Sequence, residues 1–336
     1  MEMKARPLVT AVIVNWNGAQ HLRICLPSLL AQSYEALEII VVDNASTDDS
    51  ESVAREYKVR WLGLTTNVGL APALNRGAEI AAGSFLLFVN NDMRFDEQFV
   101  ARLVEPMLRD VAIFATDATQ YFWDGTGPGH AASRLGKSPS GRAWETELIP
   151  GLYFSQENDN RETYVFMASA ACMLARRSYF DSLHGFDDRL PLGYEDTEIC
   201  WRAWTRGWKI VYIPEAVCWH RVGSSGKSLE GARYNFRGVL TGRLLFATKL
   251  LPWRYALRTW LVSIAALAKD VAQLHWRLMG DRVRILLACG RIARQLLDEK
   301  QSLFSGAGLT DEEQLVRMLQ LTNDTGAAAG NPRWSS

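Results

Sequence analysis

No apolar run in the sequence approaches the ~18–20 residues needed to cross a bilayer, and the longest candidate, 261–268, is far shorter. A signal-peptide h-region is missing too: Met1-Glu2-Met3-Lys4-Ala5-Arg6-Pro7 leads straight into strand-like sequence. The expectation is a protein soluble in its body and cytoplasmic, with any membrane contact peripheral and on the inner face. The five cysteines, Cys25, Cys172, Cys200, Cys218 and Cys289, include no C-x-x-C pair and several stand in apolar settings. Free buried thiols in a reducing compartment are expected rather than disulfides. No G-x-G-x-x-G opens the first turn, which excludes the dinucleotide-binding fingerprint of an oxidoreductase. Internal repeats are absent, and so are the aromatic-interleaved modules of RNA binding, so no nucleic-acid partner is expected.

What is present is an alternation. Residues 9–16, 37–42, 61–64, 84–89 and 112–115 read as strands, the longer ones apolar throughout. Residues 21–32, a segment running through Tyr57, 70–82 and 96–109 read as helices between them. Continuously apolar strands separated by helices indicate an α/β fold with a mainly parallel sheet covered on both faces. The pattern breaks over 116–163, where Gly125-Thr126-Gly127-Pro128-Gly129 and Gly136-Lys137-Ser138-Pro139-Ser140-Gly141 are loop chemistry. So long an irregular insertion is expected to be functional or mobile. Order resumes over 167–176, a helix follows Asp196, and the strand 209–213 is expected to close at Pro214. Beyond Gly231 the chain is helical, basic and rich in Leu and Arg, and 326–336 reads as a frayed end.

Three carboxylate stations punctuate this pattern. Asp43 closes the run Ile39-Ile40-Val41-Val42, and Asp92 follows Val89-Asn90-Asn91 at the end of the most apolar strand. In an open α/β sheet, ligands collect outside the carboxyl ends of the strands. Asp43 reads either as a turn residue or as an acceptor for a base N–H or ribose hydroxyl, the cap role falling more naturally to Thr47 or Asp48. Asn67-Val68-Gly69 and Asn75-Arg76-Gly77 supply amide donors and one cation, or are simple turn and helix chemistry. A diphosphate-bound Mg²⁺ or Mn²⁺ takes oxygen ligands and only one or two protein carboxylates, and Asp92 suits that role. The third station is Glu195-Asp196, adjacent carboxylates at the start of a helix whose Trp201, Trp204 and nearby Trp208 argue against a solvated surface. Spacing puts Glu195, Glu198 and Arg202 on one face, so Arg202 would hold Glu198 or Glu195 and leave Asp196 to point elsewhere. His220, in Cys218-Trp219-His220-Arg221, precedes a Gly/Ser-rich run that reads as a mobile lid; it is either structural or a ligand contact.

Taken in order, Asn15-Trp16-Asn17-Gly18, Val42-Asp43-Asn44-Ala45-Ser46-Thr47-Asp48, Asn67-Val68-Gly69, Asn75-Arg76-Gly77, Asn90-Asn91-Asp92, Gly185-Phe186-Asp187-Asp188, Glu195-Asp196 and His220 resemble the family 2 inverting glycosyltransferases. The nearest group is the rhamnosyltransferase-like enzymes of bacterial cell-surface polysaccharide assembly. The resemblance implies a GT-A fold within 1–230, with a nucleotide-sugar half over about 7–115 and an acceptor half over about 116–230. It implies a nucleotide-sugar donor, a glycan or lipid-linked glycan acceptor, and a divalent cation, Mg²⁺ or Mn²⁺. Asp92 would be the metal-binding aspartate, with His220 a metal or diphosphate contact. Asn15, Asn17, Asp43, Asn67, Asn75, Arg76, Asn91 and Arg202 would line the donor site, and Asp196, beside Glu195, would be the general base. Asn90 stands where many relatives carry the first Asp of D-x-D, which lowers the expected metal affinity. A sugar-1-phosphate nucleotidyltransferase would carry a Gly-rich, Arg-containing loop after the first strand, and Asn15-Trp16-Asn17-Gly18 is not that loop. A non-catalytic scaffold of polysaccharide assembly is the remaining alternative.

The chain is neutral overall, yet over 233–300 thirteen Lys and Arg stand against four Asp and Glu. This part of the extension 231–325 therefore carries +9 and the remainder −9. Within it, 282–297 projects Ile285, Leu286, Cys289, Ile292, Leu296 and Leu297 to one side and Arg284, Arg291 and Arg294 to the other. An anionic membrane surface and a homo-oligomer interface are both open as its partner.

Overall fold

The computed structural model describes residues 6–136, 146–149, 151–191, 193–221, 229–305 and 310–323. Its first part alternates as the hydrophobic pattern expects: β1 (Val9–Asn15), α1 (Ala19–Leu30), β2 (Leu37–Asp43), α2 (Ser50–Glu56), β3 (Arg60–Gly63), α3 (Leu70–Ile80) and β4 (Phe85–Asn90). β1, β2 and β4 are almost wholly buried because helices cover both faces of a parallel sheet. Gly77 of α3 lets that helix approach the sheet: a Cβ there would lie 2.2 Å from Val12 Cγ1. Asp48 fastens two helix starts at once, accepting from the Ala19 amide at 2.9 Å and the Ser50 amide at 3.1 Å.

After β5 (Met93–Phe95) and α4 (Phe99–Arg109) the structure departs from the expectation of an irregular insertion. β6 (Ile113–Phe122) continues well past residue 115 and folds back as β7 (Pro128–His130) through a turn with Gly125 and Gly127 at positive φ. β8 (Ala132–Gly136), β9 (Thr146–Ile149) and β10 (Leu152–Glu157) form a separate antiparallel sheet in the order β8-β10-β9. These strands are too short and too often interrupted by Gly and Pro to show a period. The stretch 137–145, which holds most of the second Gly/Pro/Ser run, lies outside the described residues.

β11 (Thr163–Tyr164), β12 (Leu174–Arg176), α5 (Arg177–Ser182), α6 (Glu195–Thr205) and β13 (Lys209–His220) complete the main sheet. Its order is β11-β13-β6-β12-β4-β1-β2-β3, with β5 paired to β13 and β7 to β6. Pro214 does not end β13. The strand shifts register against β6 between Ile213 and Val217, a bulge that accommodates the missing amide, and continues to His220.

The basic extension is helical: α7 (Leu229–Leu250), α8 (Trp253–Ala272), α9 (Trp276–Ser305) and α10 (Asp311–Asn323). α7 packs Phe246 edge-on to Trp201 of α6, with centroids 5.3 Å apart. Lys249 reaches Asp187 and Glu198, both at 2.6 Å, and Arg189 joins Asp187 at 2.6 Å to Glu299 of α9 at 2.7 Å. Burial opposes ionisation of Asp187, but Arg189 and Lys249 hold its carboxyl well below the usual carboxylate range. Among the described residues no helix is long and apolar enough to cross a membrane.

Candidate active site

β1 is where the strand order reverses, with β2 on one side and β4 on the other, both parallel to it. A crevice outside the carboxyl ends of such strands is the expected ligand position. Register sets Asn15 opposite Asp43 and Val14 opposite Asn90, so the three strands end nearly level. Asn15 ties them together: its amide donates to Asp43 Oδ1 at 3.0 Å, and its carbonyl accepts from Asn91 Nδ2 at 2.7 Å.

Asp43 also accepts from the Ser46 amide at 2.8 Å and the Ser46 hydroxyl at 2.5 Å, so its carboxylate is committed first to its own turn. Asn17, at φ 49°, braces that turn from the other side: its amide donates to Ser46 Oγ at 2.7 Å, and its side chain accepts from the Thr47 amide at 2.8 Å. Asn67 accepts from the Gly69 amide at 3.0 Å at the entry to α3. These asparagines shape the rim of the crevice, and Trp16 stands on it 57% exposed.

The second station lies at the end of β4. The turn Asn91-Asp92 leads into β5, which pairs with β13 so that Met93 faces His220. Asp92 Oδ1 and His220 Nε2 come within 3.2 Å, each side chain largely buried. A carboxylate and an imidazole at this separation suit a cation such as Mn²⁺ that accepts both donor types. Among the described residues no group of three or more His, Cys, Asp and Glu converges to hold a metal, so other ligand oxygens would have to come from a bound diphosphate. The Gly/Ser run at 223–226, expected as a lid, lies outside the described residues.

The third station is the start of α6. Glu195 folds back, its Oε2 accepting from the amides of Gly193 at 2.7 Å and Tyr194 at 3.1 Å. Asp196 accepts from the Thr197 amide at 2.6 Å and the Ala170 amide at 3.3 Å. The neighbouring Ala171 carbonyl accepts from the Asn90 amide at 3.1 Å, so one short segment joins the end of β4 to Asp196. Burial raises both carboxyls above their ordinary range. The charge of Asp196 adds to the shift of Glu195, while amide donors and the charge of His130 oppose that of Asp196.

Two expected donor contacts are corrected. Arg202 is buried and fully engaged: it grips Glu198 at 2.8 and 2.6 Å and donates to the carbonyls of Gly185, at 2.8 Å, and Leu183. The i, i+4 spacing did find Glu198, but no donor remains for a nucleotide. Asn75 spends its amide on Phe186 O at 2.9 Å and Asp188 Oδ1 at 2.7 Å, and its carbonyl on the Phe186 amide at 3.0 Å. It braces the 186–188 loop. Arg76 pairs with Glu79 at 3.0 Å, is well exposed, and lines a cavity of about 900 Å³ together with Asn75, Arg189, Arg202 and Glu299. None of Asp43, Asp92 and Asp196 lines that cavity.

One pair was missed from sequence. Asp117 of β6, fully buried, meets His130 of β7 at 2.7 Å and accepts from the Ser169 amide at 3.1 Å. The next amide in the chain, that of Ala170, is the one that binds Asp196. Burial alone would lower the His130 pKa, but the Asp117 charge and hydrogen bond, with the charge of Asp196, raise it above the ordinary value. A carboxylate in the apolar run Ile113-Phe114-Ala115-Thr116-Asp117-Ala118 was the available signal.

The family model described as glycosyl transferase family 2 matches residues 10–183. An N-acetylglucosaminyl-diphospho-decaprenol L-rhamnosyltransferase of Mycobacterium tuberculosis is 26% identical over 246 residues, covering 66% of this chain and 78% of the relative. An uncharacterized glycosyltransferase of Escherichia coli, YibD, is 34% identical over 94 residues, and the match spans only 27% of either chain. In structure, GalNAc-T7 with UDP, GalNAc and Mn²⁺ superposes with a TM-score of 0.53 at 18% identity, over 73% of this chain and 51% of that one. That likeness shows the GT-A fold.

Proposed function

Because the chain belongs to glycosyltransferase family 2, whose model covers more than half of it, we propose that it is an inverting transferase. In this reading it moves a sugar, rhamnose in the first instance, from a nucleotide-diphosphate sugar to a hydroxyl of a glycan or lipid-linked glycan in cell-surface polysaccharide synthesis. The observation that carries the reading is the joining of the Asp92–His220 pair to Asp196 through the end of β4 and residues 170–171. The name of the M. tuberculosis relative supports both the rhamnosyl donor and a lipid-linked acceptor.

Asp196 takes the proton of the acceptor hydroxyl as that oxygen attacks the anomeric carbon; the bond to the diphosphate breaks and the configuration inverts. A carboxylate suffices as base when the transition state is oxocarbenium-like, because the proton then moves late. Glu195, held by two amides, positions the start of α6, and the crevice rim of Asn15, Asn17, Asp43, Asn67 and Asn91 receives the nucleoside. Asp92 and His220 would hold a Mg²⁺ or Mn²⁺, which when bound supplies charge stabilisation for the departing diphosphate. Residues 1–230 form the catalytic unit and 231–325 the associating extension, through a membrane surface or a second copy.

The test is a panel of UDP-, dTDP- and GDP-sugars with Mn²⁺ or Mg²⁺ and no acceptor. One donor should raise the melting temperature only with the cation present and slowly release its nucleoside diphosphate. Asp92→Ala and His220→Ala should lose the cation-dependent shift. A folded protein indifferent to every donor would leave the non-catalytic scaffold as the better reading.

The buried carboxyls set the pH profile. In the unfolded chain Glu195 and Asp196 titrate at about 4, and in the folded chain both are raised. Their contribution to stability is complete below that pH and is lost as pH rises through the folded values. Activity runs the other way, since the base must be ionised. kcat/KM should therefore rise with pH along a limb lying above the ordinary carboxylate range and belonging to the pair rather than to one residue. His130→Gln removes the cation that opposes the shift and should move the limb higher still. A limb at ordinary carboxylate values, unmoved by His130→Gln, would remove this pair from the proton transfer.

A further inference from the structure

The helix whose composition points to a membrane is not the one whose surface does. α9 turns Cys289 and Leu296 into the core and packs Ile285, Leu286 and Ile292 against it. Its apolar stripe is largely used. α8 is built the other way round. Its buried residues are Tyr255, Thr259, Ser263 and Asp270. Thr259 and Ser263 satisfy their hydroxyls on the helix's own carbonyls at 2.7 and 2.8 Å, and Asp270 pairs with Arg282 at 2.8 Å. Its outward stripe is apolar: Trp253, Leu257, Leu261, Ile264 and Val271 lie between 47% and 72% exposed. These positions, at i, i+4, i+8, i+11 and i+18, fall on one side of a helix. Leu274 and Trp276 extend the stripe into the α8–α9 turn at 64% and 61% exposure.

An apolar stripe of this length open to solvent implies an occupant, and its border says which. Arg258 and Lys269 stand exposed on the arc beside it, Arg277 follows in the turn, and Arg284, Arg291 and Arg294 project from α9. Between residues 251 and 297 the sequence has only two acids, Asp270 and Asp281. Both are buried and paired inward, the second with Arg237 at 2.6 Å. A second copy docking isologously would bring these cations onto one another, whereas an anionic bilayer neutralises them. Tryptophans at both ends of the stripe suit the headgroup level. The polar inner face and the length of α8, roughly 30 Å at 1.5 Å per residue, suit a helix lying in the interface plane.

We propose that the outward stripe of α8, from Trp253 to Trp276, seats the protein on an anionic lipid surface. The stripe enters the acyl boundary, and the arginines and lysine beside it contact the headgroups. This deepens the membrane alternative of the proposed function, yet it is read without donor or acceptor, so its failure leaves the transferase reading untouched.

The experiment uses the full chain with vesicles of phosphatidylcholine alone or mixed with phosphatidylglycerol, read by co-sedimentation and tryptophan emission. The wild type should bind the anionic vesicles, with a blue shift and with loss of binding at high salt, and should bind the neutral ones at least about tenfold more weakly. Leu261→Asp combined with Ile264→Asp should cut binding about tenfold or more without lowering the melting temperature, because both side chains point to solvent. Arg258→Glu with Lys269→Glu should weaken binding while keeping the fold. The proposal is overturned if the wild type ignores anionic vesicles or if the Asp variant binds them as well as the wild type. It is also overturned if the stripe variants dissociate a dimer in solution while vesicle binding is unchanged.

Discussion

Asp196→Asn should lower the turnover number by about 10²–10⁴-fold while leaving the donor-induced thermal shift nearly intact and the melting temperature unchanged or higher. The two halves of this result share one cause. Asp196 sits buried beside Glu195, and burial raises the pKa of both, so at neutral pH the fold carries a carboxylate that solvent would stabilise better. Asparagine has the same shape, retains one acceptor for the amides of Thr197 and Ala170, and removes the charge. A residue kept for packing would show the reverse, a loss of stability with activity falling only in proportion. Glu195→Gln is the internal comparison. The glutamine oxygen can still accept from both Gly193 and Tyr194, which now converge on one oxygen, so it should retain far more activity than Asp196→Asn. Loss of donor binding in a folded Asp196→Asn protein would move this residue from proton transfer to binding.

Arg202→Met should destabilise the protein by about 3–5 kcal/mol, the usual cost of breaking a buried ion pair by removing one partner. That is a drop in melting temperature of on the order of 10 °C. Glu198 is wholly buried and would keep only Lys249, while the carbonyls of Leu183 and Gly185 would lose their donor. If Arg202 instead held the donor diphosphate, the variant would keep its melting temperature and lose donor affinity. Thermal melts with and without donor separate the two outcomes in a single experiment.

Sequence reasoning reached furthest where one physical rule dominated. Val12, Ile40 and Phe88 sit in continuous apolar runs because both faces of their sheet are covered, and the polar residue ending each run falls at the crevice. It failed where the outcome depended on counting partners in space. Spacing paired Arg202 with Glu198, but only the fold shows that the carbonyls of Leu183 and Gly185 take its remaining donors. Pro214 was expected to end a strand because its lack of an amide is local knowledge, whereas the bulge that absorbs it needs β6 alongside. The Asp117–His130 pair was hidden because a Gly-rich turn separates two residues that a hairpin brings together. In α8 the periodicity is plain, but which side meets the core is settled by α7 and α9, not by hydropathy.

The five cysteines have a practical consequence. All are buried and unpaired, and desolvation pushes the thiols of Cys25 and Cys200 far up and that of Cys289 to about 11. Cys172, beside Cys218, is raised as well. Since thiolate is the reactive form, the native protein should take up maleimide very slowly at neutral pH. A single cysteine introduced on the surface would then react almost alone, so a fluorophore or spin label could be placed at a chosen point without first mutating the native thiols.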